Sequence, residues 1–200
     1  MTILELLNKR FATKAFDATK KVSDADLQVI LEAAHASCSS FNTQPWKVIV
    51  VTNPELRQTL RAASYGQPQV TDASHLLVIC TVNDPMVRIN KTAELIAQAA
   101  GQSSADSYKS MVVGMLPSTP ETMFAWLSRQ VYLPLQAMML AAIERGIDSC
   151  PMEGFSPDAY AQALGLTDCR PTVLLPIGYA AQPGHPKVRV PLTDIIETRA

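Results

Sequence analysis

Residues 37–46 read Ser37-Cys38-Ser39-Ser40-Phe41-Asn42-Thr43-Gln44-Pro45-Trp46. Before them, Leu27, Ile30, Leu31 and Ala34 recur at the spacing of a core-facing helix. After them, residues 47–52 are apolar and β-branched, the composition of a buried strand. The stretch is therefore a helix-to-strand loop. Ser and Asn suit it, because their side chains satisfy nearby backbone groups. Gln44 should be extended, since the Pro45 ring crowds the preceding residue out of the helical region. Taken alone, such a loop is a connector.

The pattern continues outward in both directions. Ile3, Leu6 and Leu7 share one helical face, and Ser23 with Asp26 three residues on resembles a capping box. Asn53-Pro54 opens a helix to about Ala63, with Asn as N-cap and Pro at the first helical position. Residues 75–82 read as a second buried strand and residues 86–100 as a helix ending before Gly101. A polar loop is expected over 102–108, then a short helix broken around Pro117. Thr119-Pro120 starts the longest helix, 121–145, closed by Gly146. It is apolar nearly all round, which predicts burial on all sides, centrally or at a subunit interface, with a kink at Pro134. Ser156-Pro157 caps a helix to Leu164, ended by Gly165, and residues 171–179 form a third strand. A basic extended loop, 184–190, and a tail, 191–200, complete the chain. Long crossovers between few strands predict an α/β or α+β layer protein, a small sheet covered by helices.

Two hundred residues fit one domain with a substantial core. The net charge of -1 argues against a general nucleic-acid binder. Cys38, Cys80, Cys150 and Cys169 are scattered, which suits reduced thiols in a cytoplasmic protein rather than a disulfide framework or a zinc site. His35, His75 and His185 form no metal-binding spacing, so no metal is expected. The N-terminus has no signal-peptide core, and the most apolar segment, 131–143, is too short to span a bilayer. There is no glycine-rich phosphate loop, and chance alone makes Ser-His-Asp sets from so many serines. Cys38 reads as a small buried residue, and Trp46 and Trp126 as core. Four cations remain: Arg10 and Lys14 near one end, Lys187 and Arg189 near the other, the latter two on the same side of an extended loop. They are either solvated surface charges or, if the fold unites them, a phosphate pocket.

A resemblance decides between these. Residues 10–16, Ser39-Ser40-x-Asn42-x-Gln44-Pro45-Trp46, Asp72-Ala73-Ser74-His75, Glu153-Gly154-Phe155, Leu175-Pro176-Ile177-Gly178 and Pro186-Lys187-Val188-Arg189 occur in the order seen in the nitroreductase family of FMN-dependent NAD(P)H oxidoreductases, which the chain resembles over nearly its whole length. The resemblance implies a single α+β domain over residues 1–200. Its small mixed central sheet would lie between helical layers. It implies an intertwined homodimer in which the C-terminal tail adds a strand to the partner's sheet, with FMN sites at the subunit interface. It places Arg10 and Arg189 on the FMN phosphate with Lys187 nearby, Phe11 and Ala12 beside them, and Lys14 at the N1–O2 edge of the ring. Cys38, Ser39, Ser40 and Asn42 would reach the flavin from the other subunit. Met152, Glu153 and Gly154 would lie at the ring face, and Gln69 at its edge. Ala12 stands where a hydroxyl residue is common, Cys38 where proline is, and Gly66 and Gln69 replace Asn and Lys. The implied activity is electron transfer from NAD(P)H to nitroaromatics, quinones or similar planar acceptors by a ping-pong mechanism, with no catalytic protein residue. The alternatives are a flavin storage dimer and a branch with another flavin reaction.

Overall fold

The computed structural model describes residues 1–199. Helix α1 (Ile3–Lys9) begins at a Thr2–Glu5 capping box, and α2 (Asp24–His35) at Ser23, whose hydroxyl accepts the Asp26 N–H. Strand β1 (Trp46–Val51) leads to α3 (Pro54–Ala62), N-capped by Asn53, and then to the short α4 (Gln69–Asp72). Strand β2 (His75–Val82) precedes α5 (Pro85–Ala100) and α6 (Gln102–Gly114). The long α7 (Pro120–Glu144), the two-residue β3 (Asp148–Ser149), α8 (Pro157–Leu164) and β4 (Cys169–Gly178) follow.

The sheet order is β1-β2-β4-β3. All three ladders are antiparallel. The parallel component expected of a mixed sheet is confined to one residue pair, Ala12 with Ser149. Side chains along β2 alternate between two cores, as the period of a strand requires. Leu77 and Ile79 face Ile30 and Ala34 of α2 and Val131, Leu135 and Met138 of α7. Leu76, Val78 and Cys80 face Leu60 of α3 and Tyr160 of α8. The result is three layers, helices on both faces of the sheet. No helix among the described residues is long and apolar enough to cross a membrane.

Three expectations need correction. Strand β1 is only partly buried, because it is the sheet edge; Lys47 points outward and pairs with Asp168 at 2.9 Å, a charge of the kind that blunts edge pairing. Residues 102–108 are not a loop. Gly101, with φ of 87°, turns the chain directly from α5 into α6, which buries Ala105 and Val112. Its polar composition concealed a helix with few core positions. Finally, α7 is not buried on all sides, since Tyr132 and Leu133 are 40% and 42% exposed in the protomer. The helix continues unbroken through Pro134.

Gly178 sits where β4 meets the N-terminal segment. A Cβ there would lie 2.9 Å from the Ser74 backbone nitrogen and 3.0 Å from the Phe16 ring. Overpacking of this kind costs about 1–3 kcal/mol. Gly178→Ala should therefore lower the melting temperature by about 2–12 °C, measured by calorimetry; an unchanged melting temperature would mean that the approach is readily relieved.

Candidate functional site

The two ends of the chain meet beside β4. Asp17 N–H donates to the Tyr179 carbonyl at 2.8 Å and Ala181 N–H to that of Ala15 at 2.9 Å, pairing residues 15–17 with 179–181. This pairing carries loop 184–190 back over the end of α1. Gly184 is packed on the Phe11 ring so closely that a Cβ would fall 2.6 Å from it. A cavity of about 240 Å³ results, lined by Arg10, Phe11, Ala12, Lys187 and Arg189. The Lys187 ammonium donates to the Leu7 carbonyl in the last turn of α1, where the helix dipole favours a cation. Burial, then the neighbouring Arg189, lowers the pKa of Arg10. Burial, then Arg10 and Arg189, lowers that of Lys187. Among the described residues none of the three pairs with a carboxylate. Three mutually repelling cations with no acidic partner form a site for an anion.

From this end the chain runs against β3. Ala12 lies beside Ser149, and Thr13 N–H donates to the Ser149 carbonyl at 3.1 Å. That alignment puts the Lys14 ammonium 3.6 Å from the sulfur of buried Cys150. Burial pushes the Cys150 thiol up, against the opposing pull of Lys14 and Arg10. Pro151, Met152, Glu153 and Gly154 follow directly. Pro151 and Met152, with Leu135 and Met139 of α7, line a second cavity of about 490 Å³. Two side chains fix its rim. Tyr132 of α7 donates its hydroxyl to Glu153 Oε1 at 2.6 Å, and burial together with that carboxylate holds the phenol up at about 12. Gln67 donates its amide to the Gly154 carbonyl at 2.7 Å. Neither Tyr132 nor Gln67 is marked in the sequence: one reads as another apolar position of a long helix, the other as a polar turn residue.

Loop 38–44 is built differently from expectation. Phe41, Asn42 and Gln44 have φ of 53°, 54° and 44°. Gln44 is therefore left-handed rather than extended. Its N–H donates to Ser39 Oγ at 2.9 Å and its carbonyl accepts the Trp46 N–H at 2.8 Å, and these bonds outweigh the local preference. Left-handed non-glycine residues cost about 1–3 kcal/mol each and persist only where the surroundings over-determine them. Cys38 is exposed, not buried, because the loop lies on the protomer surface. Within one protomer no hydrogen bond or ion pair among the described residues joins Ser39, Ser40 or Asn42 to Arg10, Lys14, Lys187 or Arg189. Two departures can be followed in the fold. Ala12 offers no hydroxyl, and the neighbouring Thr13 hydroxyl is sealed in the protein without a partner, so it does not replace it. Gln69 is buried, with its Oε1 enclosed and unpartnered. Gly66 lies exposed in the turn after α3.

Residues 7–179 match the family model described as "Nitroreductase family". The chain belongs to this family. It is 36% identical to YfkO of Bacillus subtilis, provisionally named an NAD(P)H nitroreductase, over 98% of this chain and 96% of that protein. It is 38% identical to SERP2086 of Staphylococcus epidermidis, with the same provisional name and the same coverage. Among solved structures, a nitroreductase-like protein of Streptococcus mutans superposes with a TM-score of 0.90 at 26% identity, covering 98% of both chains. A protein of Exiguobacterium sibiricum provisionally named a nitroreductase, solved in complex with FMN, also gives 0.90 at 26% identity, over 100% of this chain and 98% of that one. These superpositions establish the α+β nitroreductase fold for the present chain. The residues quoted for the family from 10–16 to 175–178 fall within or overlap the matched span, whereas Lys187 and Arg189 lie beyond it.

Proposed function

We propose that this nitroreductase-family protein is an FMN-dependent enzyme that moves electrons from NAD(P)H to small planar acceptors such as nitroaromatics or quinones. The observation that carries the reading is the cluster Arg10, Lys187 and Arg189, which has no carboxylate partner among the described residues, with Lys14 near Cys150 and a cavity lined by Pro151 and Met152 further along. A terminal phosphate fits the first, a planar apolar ring fits the last, and the Exiguobacterium relative was solved with FMN. Bound FMN would supply the hydride chemistry. Every other task falls to the protein. Arg10 and Arg189 hold the phosphate, and Lys187, anchored on α1, adds charge. Lys14 presents a cation to the polar edge of the ring. Tyr132 and Gln67 fix the Glu153–Gly154 rim at its face, while Leu135 and Met139 keep water from it. Donor and acceptor use one face in turn, which is ping-pong turnover.

The Ser39, Ser40 and Asn42 side chains complete the site from a second copy of the chain. Exposed Tyr132 and Leu133, and a tail with Leu192, Ile195 and Ile196 at 67%, 68% and 58% exposure, supply apolar surface for the two-fold contact. Light scattering of the flavin-loaded protein should give twice the chain mass of 21.7 kDa; the chain mass itself, with flavin retained, would contradict the shared site. Anaerobic addition of NADPH or NADH should bleach the bound flavin, and a nitroaromatic or quinone should restore its colour. Flavin that neither donor bleaches would instead make this a storage dimer.

A further inference from the structure

The left-handed loop is held by three helices of its own protomer, each reaching a different residue. Ser40 N–H donates to Gln130 Oε1 of α7 at 2.8 Å. The Phe41 carbonyl accepts the Tyr108 hydroxyl of α6 at 2.9 Å. The Asn42 carbonyl accepts the Thr92 hydroxyl of α5 at 3.3 Å. The backbone of residues 40–42 is thus tied to the helices at every residue. The outward polar atoms are not: among the described residues neither the Ser40 hydroxyl nor the Asn42 amide nitrogen has a hydrogen-bond partner. A loop with strained backbone, clamped carbonyls and uncommitted side-chain donors is organised to present those donors to something else.

We propose that Tyr108 is a positioning residue for this loop: its hydroxyl, with Thr92 beside it, keeps residues 41 and 42 left-handed so that the Ser40 hydroxyl and the Asn42 amide meet FMN. The inference rests on the flavin reading above. It makes the α5–α6 hairpin, which the sequence marks only as an amphipathic pair, a support for the cofactor.

Tyr108→Phe removes one hydroxyl and keeps the ring. Amide exchange of the flavin-free protein should accelerate about 5- to 10-fold at residues 39–44, with a melting temperature lowered by no more than about 2–6 °C. FMN should bind about 10-fold more weakly. Adding Phe41→Gly to Tyr108→Phe should recover affinity, because glycine adopts the left-handed conformation without a steric penalty. Thr92→Val provides a second variant with the same local signature. Unchanged exchange at 39–44 in both variants would overturn the clamp. Faster exchange with unaltered FMN affinity would overturn its link to the cofactor. A wild-type protein that does not bind FMN would overturn the flavin reading itself, while the exchange result would still report on the clamp.

Discussion

Arg189→Ala should bind FMN about 10- to 150-fold more weakly than the wild type, the equivalent of losing one charge-assisted bond of about 1.5–3 kcal/mol. The flavin that remains bound should be reduced at nearly the normal rate. The asymmetry follows from the geometry. Arg189 lines the small cavity with Arg10 and Lys187, and its only hydrogen bond among the described residues is to the adjacent Val188 carbonyl. Among the described residues it holds no carboxylate that its loss would orphan, so truncation should act on the anion and not on the fold. Fluorescence-quenching titration gives the affinity, and calorimetry the stability. A parallel loss of stability would mean that Arg189 is a structural cation, and unchanged affinity would remove it from the pocket.

Lys14→Met should make the midpoint potential of the bound flavin more negative by about 30–65 mV, on the basis that about 1.5–3 kcal/mol is at stake and that 30 mV corresponds to 1.4 kcal/mol for two electrons. The substitution keeps side-chain length and deletes the charge. Lys14 is the next cation after the Arg10, Lys187 and Arg189 cluster, set by the pairing of residues 12–13 with Ser149 and resting its ammonium near Cys150. A positive charge fixed beside the ring favours the electron-rich state of the cofactor, an electrostatic effect that requires no proton transfer. Reduction by NAD(P)H should slow accordingly. A redox titration of mutant and wild type side by side decides the matter, and an unchanged or more positive midpoint would mean that Lys14 does not face the ring edge.

Much of this architecture is legible in the sequence. Strand β2 announced itself as an uninterrupted apolar run because both its faces are buried. Helix α8 was bounded by Ser156-Pro157 and Gly165, local signals that tertiary context did not override. The parts that were not legible share a physical cause: they depend on what the fold places beside a residue. Helix α6 is polar because it needs only a narrow seam against α5. Gln44 is left-handed because Ser39 and Trp46 take up its backbone groups. Tyr132 and Gln67 matter only through Glu153 and Gly154, and no spacing along the chain connects them. For the cations, the residues alone favour solvated surface charge over a phosphate pocket. The pairing of 15–17 with 179–181 is what brings them to one place.

The central claim is that Arg10, Lys187 and Arg189 form the seat of a terminal phosphate, and that flavin recognition starts there. A paired titration of the flavin-free protein with FMN and with riboflavin, which has the same ring and no phosphate, tests it most directly. FMN should quench on binding with at least about 10-fold higher affinity than riboflavin, the least that one charge-assisted bond supplies, and high salt should narrow the gap. Equal affinities for the two would contradict the phosphate seat, and binding of neither would contradict the account as a whole.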